Sequence, residues 1–322
     1  MYSSISSIAS SVLGCIRKDI TGASPWYFDP LIRFAQRVPA FSGNMIELHF
    51  DRKHWFDFSL RINTQYDRVL IPGCPLREQL SGSLQGGYQQ LLNENRNGFR
   101  YGIENLWLEY DFPVDADPSL FFDLHRSGNT AFSNRMKDLA KVCSLFRYPM
   151  PAGLEKQLAA LDEQELPVLY YGLMFSRQPQ CLRFTIPNIA PGQVATVLQQ
   201  LNWDGDYSLV EALEAQYLLS FDKVSLALDH NGQLSSRLGV EAYTGDTDAA
   251  VEMFYRKDAF NKDQYQLLKQ WQGKVTLDPD ISTALSELHE REICYVHKRI
   301  NHFKFLLDKG QVTGKAYLYY CY

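Results

Sequence analysis

Positively charged residues recur at matching places in four strand-like segments of the sequence. They are Arg61, Arg183, Arg237 and Lys315, and each lies where polar and apolar residues alternate. Residues two apart in a strand share one face of the sheet, so we expect these cations to converge on one side of it. Enclosed, charge-assisted hydrogen bonds bind anions more strongly than surface contacts do. The pattern therefore predicts a site for a multiply charged anion, most naturally a diphosphate.

The same predicted face also carries acids and aromatic rings. By alternation, it is shared by Glu47, His49, Asp57, Ser59, Trp107, Glu109, Asp111, Phe121, Asp123, His125, Tyr170, Met174, Thr185, Ser225, Asp229, Glu241, Tyr243, His302, Lys304, Leu306, Tyr317 and Tyr319. Its seven acids exceed its five Lys and Arg residues, which is unfavourable beside an anion. Three explanations are open. In the first, a Mg²⁺ ion bridges the carboxylates and the diphosphate. In the second, an acceptor molecule that binds beside the diphosphate is itself cationic, as a guanidinium or an amine is. In the third, one strand is assigned to the wrong face.

Five predicted β-hairpins must position these residues. They span residues 45–63, 106–125, 168–186, 224–243 and 302–319, and an Asn-Gly pair typical of a tight turn lies at Asn231 and Gly232 in the fourth. Between the hairpins the apolar period changes to that of helices, with about two helices in each interval. Residues 129–162, 191–219 and 247–293 carry clear helical patterns, whereas residues 64–102 carry a weak one.

Hairpins that follow one another through helix pairs predict a single antiparallel sheet of ten strands. Closing such a sheet into a barrel removes its two exposed edges. The predicted fold class is therefore α+β, a ten-stranded antiparallel β-barrel built from five ααββ repeats with the helices outside. Ten strands enclose more space than side chains alone fill, so the lumen is a predicted binding chamber. We expect one domain over residues 1–322, and the alternative is two separate α+β domains without a shared lumen.

Composition and charge disfavour several classes of protein. A net charge of −5 and a pI of about 5.8 give no overall positive field for nucleic acid or anionic membranes. No uncharged apolar run predicts a membrane span, and the N-terminal residues lack the basic start of a signal peptide. The six cysteines show no metal-binding spacing. We expect a cytoplasmic monomer with reduced thiols and no organic cofactor, and the sequence identifies no metal ligands.

This repeat order and several of its residues resemble the ABBA-type, or PT-barrel, aromatic prenyltransferases. In the indole and cyanobactin peptide branches of that family, a Glu in the first hairpin contacts the acceptor and a following Arg contacts diphosphate. Glu47 and Arg61 match that arrangement. Lys315 with Tyr317 matches a later Lys-x-Tyr pattern, and the Tyr-rich last strand is similar too. The second hairpin departs from the family, because Phe121 and Asp123 occupy a strand that commonly supplies Lys.

The resemblance implies transfer of an isoprenyl group of the dimethylallyl or geranyl class from an allyl diphosphate. The acceptor would be a peptide side chain or an indole-like aromatic molecule, in peptide or natural-product biosynthesis. Glu47 would orient the acceptor or take its proton. The implied diphosphate ligands are Arg61, Arg183, Arg237, Lys304, Lys315, Tyr170, Tyr243 and Tyr317.

Aromatic faces suit such a reaction, because they keep water from an allyl cation and stabilise it by cation–π contact. Aromatic residues make up 13% of the chain, enough to line a lumen. The residues expected around the carbocation and the acceptor are Trp107, Glu109, Asp111, Phe121, Asp123, Glu241 and Tyr319. The alternative function is a non-catalytic barrel whose acidic lumen binds a cationic ligand or peptide.

Overall fold

The computed structural model describes residues 5–20, 28–51, 56–63, 66–67, 80–95, 103–112, 117–124, 131–177 and 179–322. Within these ranges, eleven strands form one antiparallel sheet. The strands are β1 (Gly43–His49), β2 (Phe56–Asn63), β3 (Asn105–Tyr110), β4 (Ser119–Phe122), β5 (Tyr170–Met174), β6 (Cys181–Ile189), β7 (Lys223–His230), β8 (Leu234–Tyr243), β9 (Gly273–Thr276), β10 (Tyr295–Asp308) and β11 (Gln311–Cys321).

The sheet closes because β11 pairs with both β10 and β1. Ten strands form the resulting antiparallel barrel, as predicted, and β9 extends the sheet beside the first residues of β10. Closure brings Glu47 of β1 opposite Tyr317 of β11, although the two residues lie at opposite ends of the sequence. The five hairpins therefore share one sheet and one lumen.

Helices fill the intervals between the hairpins. In the described residues they are α1 (Ile5–Asp19), α2 (Asp29–Ala35), α3 (Gly82–Asn95), α4 (Phe132–Leu145), α5 (Leu154–Glu163), α6 (Val194–Gln200), α7 (Tyr207–Gln216), α8 (Thr247–Arg256), α9 (Lys262–Trp271) and α10 (Pro279–His289). None of these helices has the length and apolar character needed to cross a bilayer.

The intervals depart from a uniform pair of helices in two places. Between β2 and β3, the described residues contain α3 alone, and much of the weakly helical interval 64–102 lies outside them. The last interval holds α8, α9 and α10, with β9 between the last two helices. Gly273, the first residue of β9, adopts a φ of 119° two residues after the end of α9, a conformation that suits glycine where the chain turns to pair with β10.

Apolar residues of the strands pack outward against the helices. Ile46 and Leu48 of β1 are 1% exposed and belong to the same core cluster as the buried helix residues. The α2 side chain Phe34 packs on Phe58 of β2, with ring centroids 5.7 Å apart. Burial of this alternating set fixes the strand register, because a slip of one residue would turn it toward the lumen. The polar set consequently faces inward.

One helix is tied directly to a lumen strand. Asn261 and Gln264 form a reciprocal capping box at the start of α9. The side chain of Gln264 also donates a hydrogen bond of 2.7 Å to the carbonyl of His49 at the end of β1. Gln264 is fully buried, so this bond satisfies a polar group that would otherwise destabilise the core. It holds the end of β1, where the ionic residues of the lumen begin.

Candidate functional site

The lumen contains two adjoining cavities of different character. The first, which we call the aromatic chamber, has a volume of about 400 Å³ and is lined by Met45, Trp107, Phe121, Tyr170, Tyr243 and His302 among others. The second, the polar chamber, has a volume of about 470 Å³ and is lined by His49, Asp57, Asp111, Arg177, Arg237 and Lys315 among others. Both volumes suit a small ligand or part of a larger one.

The chambers meet at four residues that line both: Glu109, Arg183, Lys304 and Tyr317. The polar chamber lies toward the hairpin turns, since Ser176 and Lys309 also line it. The aromatic chamber lies toward the ends that continue into the helices, where it is lined by Asn188 and Asn301. The barrel thus separates an apolar compartment from a charged one along its axis.

The first ionic cluster is centred on Lys315. Its Nζ lies 3.0 Å from Glu47 Oε2 and 3.1 Å from Asp57 Oδ2. Asp57 Oδ2 is also 2.5 Å from Nε2 of His49, and Ser59 donates to Glu47 at 3.4 Å. Burial opposes the charge of Lys315, but attraction to Glu47 and Asp57 outweighs it and raises the lysine's pKa.

Glu47, the predicted catalytic residue, is fully buried within this cluster. Burial works against its ionisation, but Lys315 outweighs that effect and lowers the pKa of Glu47. It is absent from the walls of both chambers and lies beside Tyr317, whose hydroxyl pKa is raised by burial and by Glu47. Any influence of Glu47 on a ligand in this conformation therefore passes through a neighbour that lines a chamber: Tyr317, Lys315 or Ser59.

A second cluster connects the junction to the aromatic chamber. Lys304 Nζ lies 3.1 Å from Glu241 Oε1, and the Tyr243 hydroxyl donates to Glu241 Oε2 at 2.9 Å. Burial raises the pKa of Glu241, but Lys304 outweighs burial and brings it to about 2, so this carboxylate is ionised. The ring of His302 stacks on Tyr317 with centroids 4.1 Å apart, and burial lowers the histidine pKa to about 4. His302 is accordingly neutral near pH 7.

The third cluster joins three arginines in the polar chamber. Arg183 donates from Nε and Nη2 to the two oxygens of Asp229 at 2.7 and 3.1 Å, and Arg177 bonds the same carboxylate. Arg237 lies 3.9 Å from the partly exposed Asp308. Burial, and then repulsion by Arg177 and Arg183, lower the pKa of Arg237. Three cations therefore share two carboxylates, which leaves this cluster with an excess of positive charge.

Sequence reasoning missed Arg177. It lies in the turn segment between β5 and β6, just beyond the alternating pattern used to assign faces. Its position near the end of β5 was the available signal, since a residue that follows a lumen strand lies at the rim of the lumen. The pairing with Asp229, 52 residues away in the sequence, follows from the neighbouring positions of β6 and β7.

Arg61 lies apart from the other predicted diphosphate ligands. It is opposite Gly43 in β1, at the end of the barrel where the strands lead to the helices. Its guanidinium lies 5.9 Å from the ring centre of Trp107 and 5.6 Å from that of Tyr319. Among the described residues, no carboxylate forms an ion pair with it, and its buried Nε has no hydrogen-bond partner. The cations of the lumen thus form separate groups rather than one ring.

The acid excess has a physical explanation in the structure. Burial, followed by repulsion from Glu47 and Asp111, raises the pKa of Glu109 to about 8, so that this side chain is mostly a neutral acid at pH 7. Burial also raises the pKa of Asp111, which accepts a hydrogen bond of 3.0 Å from Ser176. Misassigned faces are not the cause, because Glu109, Asp111 and Glu241 line the lumen as predicted.

Asp123 has a local structural role. It accepts hydrogen bonds from the backbone of Glu104 at 2.9 Å and from the side chain of Asn105 at 3.2 Å. It lines neither chamber, and His125, predicted on the same face, lies outside the described residues. Among the residues that the structure describes, no group of three His, Cys, Asp or Glu side chains has the arrangement of a metal site.

Comparison with known proteins gives no family for this chain, so its function is inferred from the geometry of the lumen. No protein-family model matches the chain. No curated protein matches it significantly.

Proposed function

We propose that this protein is a prenyltransferase of the PT-barrel type. It moves a dimethylallyl- or geranyl-class group from an allyl diphosphate to a peptide side chain or an aromatic, indole-like acceptor. The observation that carries the proposal is the division of one closed lumen into an aromatic chamber and an arginine-bearing polar chamber. An allyl diphosphate has the same division, since it joins an apolar chain to a multiply charged anion.

The electrostatics of the polar chamber favour the diphosphate there. Arg177, Arg183 and Arg237 repel one another and share two carboxylates, so a bound anion relieves that repulsion. Lys304 and Lys315 are already paired with Glu241, Glu47 and Asp57, and they contribute less free charge. In this arrangement Arg61 is not a diphosphate ligand, because it lies at the other end of the barrel, over the rings of Trp107 and Tyr319.

The prenyl chain then extends into the aromatic chamber and its first carbon lies at the junction. The C1–O bond breaks, the diphosphate leaves with the electron pair, and a new bond forms between C1 and the acceptor, which loses a proton. Tyr170, Tyr243, Tyr317 and Phe121 present rings that stabilise an allyl cation and keep water from it. Glu47 accepts a hydrogen bond from Tyr317 on the side away from the chambers, so Glu47 is a positioning residue for the acceptor.

Mg²⁺ remains part of the proposal as an ion carried by the diphosphate. The carboxylates of Glu47, Asp57 and Glu241 are each engaged by a lysine, so they are poor partners for a second cation. Asp111, which lines the polar chamber, carries no such lysine contact in the described residues and is the carboxylate best suited to approach a diphosphate-bound ion.

Calorimetric titration with non-hydrolysable thio-analogues of dimethylallyl and geranyl diphosphate, with and without Mg²⁺, tests the proposal. Replacing Arg237 with Gln should weaken analogue binding about tenfold or more, because it removes one charge-assisted contact. The matched control is Arg256→Gln on the exposed end of α8, which should bind like the wild type. A folded wild-type protein that binds neither analogue under either condition refutes the function.

A cationic ligand is the second candidate. Glu109 and Asp111 line the polar chamber without a described ion pair, and a guanidinium or amine would ionise both. The same calorimeter can test an arginine-containing peptide against its citrulline counterpart, which has the same shape but no charge. Binding of the arginine peptide alone, together with no binding of the diphosphate analogues, selects this function.

A further inference from the structure

Glu109 occupies a position that no other acid of the described lumen shares. It lies in β3 and lines both chambers, so that its carboxyl is at the point where they meet. Its cross-strand neighbours are uncharged, Ser59 in β2 and Ser119 in β4. Within the described part of the chain, it forms neither an ion pair nor a side-chain hydrogen bond. A polar group without a partner between two ligand-sized cavities is available to a ligand.

The charges that face Glu109 come from strands all around the barrel. The acids are Glu47 of β1 and Asp111 just after β3. The cations are Arg183 of β6, Lys304 of β10 and Lys315 of β11, and the hydroxyl of Tyr317 in β11 also faces Glu109. Each of these cations is bonded to another carboxylate: Asp229, Glu241, or Glu47 with Asp57. Burial and the neighbouring acids therefore prevail and raise the pKa of Glu109 to about 8.

We propose that Glu109 is the proton carrier of the reaction, giving its proton to the leaving diphosphate and then recovering one from the prenylated acceptor. The inference rests on the proposed function and adds a catalytic group to it. When the C1–O bond breaks, the diphosphate oxygen receives the electron pair and the Glu109 proton. The acceptor, once bonded to C1, gives its proton to the Glu109 carboxylate. The enzyme returns to its starting state, and the diphosphate has gained the proton that the acceptor lost.

The other acids near the junction are less suited to this role. Glu47 is ionised, bonded to Lys315, and absent from both chamber walls. Glu241 is ionised and held by Lys304 and Tyr243. Asp111 lines only the polar chamber, on the hairpin-turn side, and does not reach the aromatic chamber. Glu109 alone among these four reaches both the anionic and the apolar compartment.

The test compares Glu109→Gln with the wild type. Glutamine keeps the size and one hydrogen-bond donor but carries no transferable proton. The variant should bind the thio-analogue within about twofold of the wild type, and its turnover with the true donor should fall about 100-fold or more, the range of general acid–base catalysis. Glu211→Gln, a substitution of an exposed residue in α7, should leave both measurements unchanged.

A spectroscopic measurement keeps the test independent of turnover. The infrared difference spectrum of the wild type minus Glu109→Gln at pH 7 should show the carbonyl band of a protonated carboxyl, and that band should disappear as the pH rises through about 8. In the wild type, kcat should fall over the same pH range. The role of Glu109 is overturned if the wild type binds the analogue and Glu109→Gln turns over as fast as the wild type. It is also overturned if the carbonyl band is absent. Failure of the wild type to bind the analogue instead overturns the proposed function beneath it.

Discussion

Replacing Glu109 with Gln should change how the stability of the protein depends on pH. The folded state holds the Glu109 proton up to a pKa of about 8, whereas the unfolded chain releases it near the usual value of 4.5. Between these two values the folded protein binds one proton more than the unfolded chain does. A rising pH therefore favours unfolding in this window, and the stability contributed by the neutral carboxyl decreases.

The magnitude follows from proton linkage. Each pH unit inside the window lowers the free energy of unfolding by about 1.4 kcal/mol, and integration from pH 5 to pH 8 gives a loss of roughly 3–4 kcal/mol. Glutamine does not titrate. The wild type should thus lose roughly 3–4 kcal/mol relative to Glu109→Gln over this range, with little divergence below pH 4, where both states of the wild type hold the proton.

Urea unfolding of both proteins at pH 4, 5, 6, 7 and 8, followed by circular dichroism, measures the effect. Titrating groups remote from Glu109 are common to the two proteins, so their contributions cancel in the difference. Glu211→Gln should run parallel to the wild type, since its side chain is exposed in α7. A constant difference between the wild type and Glu109→Gln from pH 5 to pH 8 would show that Glu109 is ionised in the folded state, and the reasoning would be wrong.

Three other substitutions probe the remaining parts of the lumen. Asp229→Asn leaves the buried Arg183 without its carboxylate and should cost about 3–5 kcal/mol, seen as a lower urea midpoint; an unchanged midpoint would contradict the pairing. Lys315→Met removes a charge that lowers the pKa values of Glu47 and Asp57, so the stability advantage of the wild type over this variant should shrink as the pH falls below about 4; an advantage that does not change with pH would contradict this. Gly172→Ala places a methyl group 2.6 Å from the ring of Phe121 and should weaken geranyl-analogue binding more than dimethylallyl-analogue binding; equal losses would place the prenyl chain elsewhere.

Alternation in the sequence assigned the faces of β1 and β2. Ile46, Leu48 and Phe58 pack outward while Asp57 and Ser59 face inward, as their spacing predicts. The signal is local and strong, because the apolar set of each strand has to be buried against a helix. The same signal gave the five hairpins, and the closed ten-stranded barrel followed from the need to remove exposed edges.

Local irregularities limited that prediction. The last hairpin was predicted to begin at His302, whereas β10 begins at Tyr295. Its register with β11 shifts between Ile300 and His302, so the alternation before the shift does not continue the alternation after it. The insertion of β9 beside this part of β10 likewise depends on a turn at Gly273 and on the pairing of distant segments.

The sequence predicted most of the charged groups that line the lumen, and the tertiary structure decided which of them are neutralised there. Lys315 contacts Glu47, 268 residues away, because barrel closure places β11 beside β1. Among the residues that the structure describes, Glu109 lies in no such pair, and both its cross-strand neighbours are serines. Period-two spacing predicts on which face of the sheet a side chain lies, but it does not predict the residue that this side chain contacts across the lumen. The division into two chambers, the positive cluster around Arg177 and the proton on Glu109 all depend on those partners, and they follow only from the closed barrel.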